Sequence, residues 1–229
     1  MSFNSQQYAA LARDVYDGPR ATGERSPVID IGGVPYQRLM YVDRASGYQG
    51  IIYQRKDTRE IVVAHRGTEP DRQLLKDGAY ADGSMVVKRH NPQVDDAIEL
   101  TQRAIELAER LAKRDGHKPE VTVTGHSLGG GLTQVAAHHF GLKGQTFNAY
   151  GATSLDRRIP EGGNEVINHV MAGDAVSAAS RHYGRVEIYA TPQEIATLKR
   201  ADYANDNEVL DARIPLSIAF MLGDGCRLN

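Results

Sequence analysis

The 229-residue chain has a single cysteine, Cys226. No intrachain disulfide can form, so nothing in the fold demands an oxidising compartment, and the lone thiol reads as a small packed side chain. Long apolar runs are missing as well. Residues 1–30 hold no stretch that would serve as a signal peptide, and the longest apolar stretch, 215–223, is too short to span a bilayer. The expectation is a chain made as a soluble cytoplasmic protein, with any export following a signal-peptide-independent route. There is no excess of one charge: 27 Lys and Arg stand against 29 Asp and Glu, so nothing electrostatic points to nucleic acid as a partner. The short clusters Lys88-Arg89-His90 and Arg157-Arg158 read as solvated surface, with transient contact to a membrane surface as the alternative. No metal-ligand cluster, phosphate-binding glycine loop or dinucleotide fingerprint occurs, so neither metal nor cofactor is expected.

What is present is the composition of an ordinary globular protein, 41% hydrophobic and 24% charged. The length suits one core, and residues 1–229 are read as a single domain. Tyr8, Ala9, Leu11, Ala12, Val15 and Tyr16 have helical spacing, and Gly18-Pro19 stops a short covering helix. Residues 50–54 and 60–64 are β-rich runs around the polar turn 56–59, which predicts a hairpin whose second strand ends in His65-Arg66-Gly67-Thr68. Over 93–114 apolar residues recur at three and four, with Asn91 as cap, Pro92 in the first turn, Asp95 and Asp96 at the positive end and Gly116 as stop. Strand 121–124, helix 128–139, strands 145–148, 166–171 and 185–189 and helix 192–200 follow. Strands alternating with helices predict an α/β fold with a mostly parallel sheet covered on both faces.

Gly125-His126-Ser127-Leu128-Gly129 is a G-x-S-x-G sequence lying between a β-branched strand and an apolar helix. That is the setting of a nucleophile elbow, a turn so tight that side chains two before and two after the serine would collide with neighbouring elements. It would hold Ser127 Oγ at the carboxyl end of the strand and aim the helix start at developing negative charge. In this geometry the N–H of Leu128 is one oxyanion donor.

Thr124 to Leu132, the upstream Val63-Ala64-His65-Arg66-Gly67-Thr68 and the downstream Ala172-Gly173-Asp174-Ala175-Val176 together resemble the class 3 lipase family of α/β-hydrolases, including its bacterial phospholipase members. The likeness runs from about Tyr8 to about Tyr189. It implies a serine hydrolase cleaving lipid esters, with Ser127 as nucleophile, Thr68 as second oxyanion donor after Arg-Gly, and a lid within 70–90. Some bacterial relatives are toxins delivered to rival cells, which would add an inhibitory protein partner. Asp174 follows strand 166–171 on the same edge as Ser127 and is the expected acid, with Asp156 as the alternative.

The base is where the chain departs from the family. The usual order is Ser, Asp, His, and the only histidine after Asp174 is His182. Bacterial relatives often carry His-Ser-Ile before an aromatic; here Pro215-Leu216-Ser217-Ile218-Ala219-Phe220 has that outline with Leu216 in the histidine's place. Three readings stay open: His182 is the base, the base lies beyond Asn229 in a domain truncated at its carboxyl end, or catalysis is impaired. His126 is expected near the site, His65 behind the oxyanion loop, and His138 and His139 along the helix. The competing functions are a hydrolase-fold binding or interaction module without activity and another acyl hydrolase such as a thioesterase.

Overall fold

A computed structural model describes residues 4–18, 21–23, 25–67, 91–155 and 157–200. They form one eight-stranded sheet in simple sequential order. The strands are β1 Val28–Ile31, β2 Val34–Asp43, β3 Gln49–Arg55, β4 Ile61–His65, β5 Val121–His126, β6 Lys143–Phe147, β7 Gly162–Met171 and β8 Tyr183–Tyr189. The helices are α1 Ser5–Asp14, α2 Gln93–Asp115, α3 Leu128–Phe140, the single turn α4 Ala175–Ala178 and α5 Pro192–Arg200.

The first four strands pair antiparallel, and β4 through β8 run parallel. Each parallel pair needs a crossover, and α2, α3 and α4 lie in three of them, as chain geometry requires. Every residue of β4 is buried, because both faces of the sheet are covered. On one face α1 packs Tyr8, Ala9, Leu11 and Ala12 against Tyr53, Val62, Ala64 and Phe147. On the other, α2 and α3 pack Val94, Leu100, Ala104, Leu111, Leu132 and Val135 against Ile52, Val63 and Val123. This is the α/β arrangement, a largely parallel sheet covered on both faces, that the sequence predicts.

The ends of α2 follow its local chemistry. Asn91 Oδ1 accepts from Gln93 N at 2.9 Å, and Gly116, at φ 73, donates its N–H to Ala112 O at 2.9 Å. Strands β1 and β2 are additions to the sequence reading. They meet through Gly32 and Gly33, both at positive φ, as a two-residue hairpin turn requires. Buried polar residues obscure β2 as a strand: Gln37 donates to Ser26 O at 2.8 Å, and Arg38 Nε to Asp14 Oδ2 at 2.9 Å. Among the described residues no helix is long and apolar enough to cross a membrane.

Candidate active site

Ser127 stands between the last residue of β5 and the first of α3 with φ 56 and ψ −127. A non-glycine residue there carries about 1–3 kcal/mol of strain and persists only where its surroundings fix it. They do so through the backbone: Ser127 N donates to Phe147 O at 3.1 Å, and Ser127 O accepts from Tyr150 N at 3.1 Å and Gly130 N at 3.0 Å. The glycines are steric requirements. A Cβ on Gly125 would lie 2.3 Å from Gly129 O, and one on Gly129 2.2 Å from His65 O. Gly130 and Gly131 bring α3 against Ala149 and Tyr150 in the same way.

Leu128, buried at the first position of α3, has an N–H with no acceptor inside its own helix, as first-turn N–H groups do. The loop leaving β4 lies against the nucleophile position: a Cβ on Gly67 would be 3.3 Å from Ser127 Cβ and 2.6 Å from His126 O. Thr68, the lid segment 70–90, Asp156, Cys226, the 215–223 stretch and the His-Ser-Ile-like 215–220 lie outside the described residues.

Tyr16, just past α1, reaches over this loop. Its hydroxyl accepts from Gly67 N at 3.1 Å and bonds His126 Nδ1 at 3.1 Å. Arg66 lies over its ring, 5.4 Å from the centroid. Tyr16 therefore links the loop after β4 to the residue before Ser127. Sequence reasoning placed Tyr16 only on an apolar stripe, and no local signal marks its polar role.

Asp174 follows β7, on the edge of the sheet where β5 ends in the elbow. One of its oxygens, Oδ2, is a helix cap, accepting from Ser177 N at 2.8 Å and from the Ser177 hydroxyl. Asn148 Oδ1 accepts from Met171 N at 2.9 Å, which ties the ends of β6 and β7 together beneath the site. Burial pushes the His126 imidazole down to about 4, while the Asp174 charge pulls the other way.

His182 is placed differently. It stands at the start of β8, buried. Its Nδ1 lies 3.4 Å from Gln134 Nε2, and its Nε2 is 3.0 Å from Ser177 O. The geometry reads as an Nε2–H donor and an Nδ1 acceptor, neither bonded to Ser127 nor to Asp174. Burial lowers its pKa, opposed by the Ser177 bond and by Asp174. His65 is fully buried behind the loop, bonded to the Tyr48 hydroxyl at 2.7 Å and pushed by burial to about 3. Among the described residues no group of His, Cys, Asp or Glu is placed to hold a metal ion.

The profile of one family, described as "Phospholipase-like: Tle-like phospholipase domain", matches residues 7–213. The chain belongs to this family. The Tle-like phospholipase domain thus covers nearly all of the sequence, in agreement with the lipase resemblance of its motifs. No curated protein matches at a significant level. Among solved structures, the Lip2 lipase of Yarrowia lipolytica matches at 13% identity and TM-score 0.49, over 79% of this chain and 77% of that one. A triacylglycerol lipase from Penicillium expansum matches at 15% identity and TM-score 0.49, over 82% and 79%. The Rhizomucor miehei lipase propeptide complex matches at 15% identity and TM-score 0.46, over 75% and 60%.

Proposed function

We propose that this Tle-like phospholipase domain cleaves carboxylic esters of lipids, phospholipids among them, through an acyl-enzyme on Ser127. The observation that carries the reading is the strained backbone of Ser127 at the β5–α3 junction, with Gly67 packed against it. Strain of this kind in a glycine-walled turn supports a nucleophile presented at the sheet edge, where α/β folds hold their ligands.

In the proposed reaction Ser127 Oγ attacks the ester carbonyl and its proton passes to a base. Negative charge collects on the carbonyl oxygen, against the N–H of Leu128 and that of Thr68, each commonly worth about 2.7–4 kcal/mol in such sites. The tetrahedral intermediate expels the alcohol, which takes the proton, and water then releases the fatty acid from Ser127. Asp174 would orient and stabilise the protonated base through Oδ1, since Oδ2 caps α4.

For His182 to be that base, its ring would have to leave Gln134 and Ser177. The bonds holding it favour a second reading, a fold that binds lipid esters without turning them over. Hydrolysis of a short-chain p-nitrophenyl ester separates these readings. Loss of turnover in Ser127→Ala and in His182→Ala, with both variants folded, supports the full assignment. Turnover that survives in Ser127→Ala sinks the nucleophile, and turnover that survives in His182→Ala makes the histidine structural. A folded wild-type chain with no turnover supports the binding reading only if a chain extended past Asn229 is equally inactive; turnover gained in the longer chain would place the base beyond Asn229.

A further inference from the structure

At the other end of the sheet a groove of about 440 Å³ opens between β2, β3 and α2, within the size range of small-molecule sites. It is remote from Ser127: Gln54 in its wall pairs with Ile61, the first residue of β4, whereas the nucleophile lies beyond the last. Ile61 is level with Val121, so Ser127 lies six residues further on, roughly 20 Å along the strand direction. Its floor is apolar, made by Leu39, Met40, Ile52, Leu107 and Leu111.

Its rim is cationic. Arg55, Lys56, Arg59, Arg103, Arg110 and Arg114 line it, and among the described residues no carboxylate does. The helical members fall at spacings that place Arg103, Leu107, Arg110, Leu111 and Arg114 on one face of α2. Four carboxylates from outside the lining pair with some of the cations: Asp57 and Glu60 with Arg55, Asp115 with Arg59 and Arg114, and Glu99 with Arg103. Lys56 Nζ donates only to the neutral Gln37 Oε1 at 3.1 Å, and Arg110 has no ion-pair partner among the described residues. The rim therefore stays net positive. In the wall Gln54, 8% exposed, buries an Nε2 amide with no hydrogen-bond partner among the described residues. A buried donor of this kind calls for an acceptor.

We propose that this groove is a second lipid site that binds a single-chain anionic amphiphile of the long-chain fatty-acid type. The alkyl chain lies on the Leu39, Met40, Leu107 and Leu111 floor, and the carboxylate meets Lys56 and Arg110 at the rim. A neutral head would leave those cations without a counter-charge, and a short anion would leave the floor empty. The site does not depend on Ser127 being the nucleophile.

Laurate, below its micelle concentration, tests this by calorimetric titration of the full chain, with dodecyl maltoside and acetate as the neutral-head and tail-less controls. Laurate is expected to bind at least tenfold more tightly than either. The reversal Lys56→Glu with Arg110→Glu, both at exposed positions, should weaken laurate at least tenfold without moving the thermal midpoint. Equal laurate affinity in the folded reversal variant overturns the proposal, as does equal binding of dodecyl maltoside. Should the variant fail to fold, a diazirine-bearing laurate on the unaltered chain decides. Cross-links on peptides holding Met40 or Leu107 support the site, and their absence from both overturns it.

Discussion

Ser127 adopts a backbone conformation that an L-residue avoids unless its neighbours leave no alternative. Here the alternatives are removed by Phe147 O, Tyr150 N and the glycines on either side. The steric half of this arrangement was legible in the sequence, because glycine at two before and two after a serine is a local signal. The polar half was not, since Tyr16 reaches Gly67 across 51 residues and His126 across 110. A single hydroxyl thus links Gly67, in the loop after β4, to His126, the residue before Ser127. Tyr16→Phe should leave the Gly67 N–H without that acceptor and lower kcat by about tenfold, equivalent to about 1.4 kcal/mol, with KM unchanged. Steady-state kinetics on a short-chain ester check this. A matched change in KM instead would make Tyr16 a substrate contact, and no change in either would remove its positioning role.

At the scale of elements, those with strong periodicity were readable: α2, α3 and strands β3 to β8 lie close to where pattern and capping residues put them. β1 and β2 were not, because Gln37 and Arg38 are buried by partners, Ser26 and Asp14, that only the fold brings near. The same reason explains His182. Chain order made it the candidate base, but its ring is engaged by Gln134 of α3 and by Ser177, contacts with no trace in the sequence. Thr68 was read from the family resemblance and lies outside the described residues.

Gln134 itself is the junction that fixes these segments. Fully buried, it donates to Tyr150 O at 3.1 Å and accepts from Ala152 N at 3.1 Å and Tyr183 N at 3.0 Å. It thereby ties α3 to the segment after β6 and to the start of β8. Gln134→Ala strips buried backbone groups of their partner, at about 1–3 kcal/mol for each one left unsatisfied. Urea unfolding should show a loss of about 3 kcal/mol or more with an unchanged m-value. A loss under about 1 kcal/mol would mean that water takes its place.

Among the described residues, three histidines shifted down by burial contribute to the response to acid. Burial pushes His65 to about 3, and His126 and His169 to about 4. All three lie below the unfolded value of about 6.5. Between that value and the folded ones the unfolded chain binds protons that the folded chain refuses, so the stability they contribute is fully present above about pH 6.5. It is lost as pH falls toward 4, with a slope of up to about 1.4 kcal/mol per pH unit for each. Against a total of about 5–15 kcal/mol, that is enough to unfold the domain in mild acid. Urea midpoints measured from pH 8 to 4.5 should be flat above pH 7 and fall steeply below 6. A flat midpoint down to 4.5 would contradict the burial of these rings.

The central claim is that the turn between β5 and α3 presents an activated serine. Incubation of the full chain with a fluorophosphonate, followed by digestion and mass mapping, tests it most directly. The account predicts one adduct, on the peptide that contains Ser127, and none in Ser127→Ala. An adduct on a different residue, or a folded wild-type chain that takes no label, would contradict it.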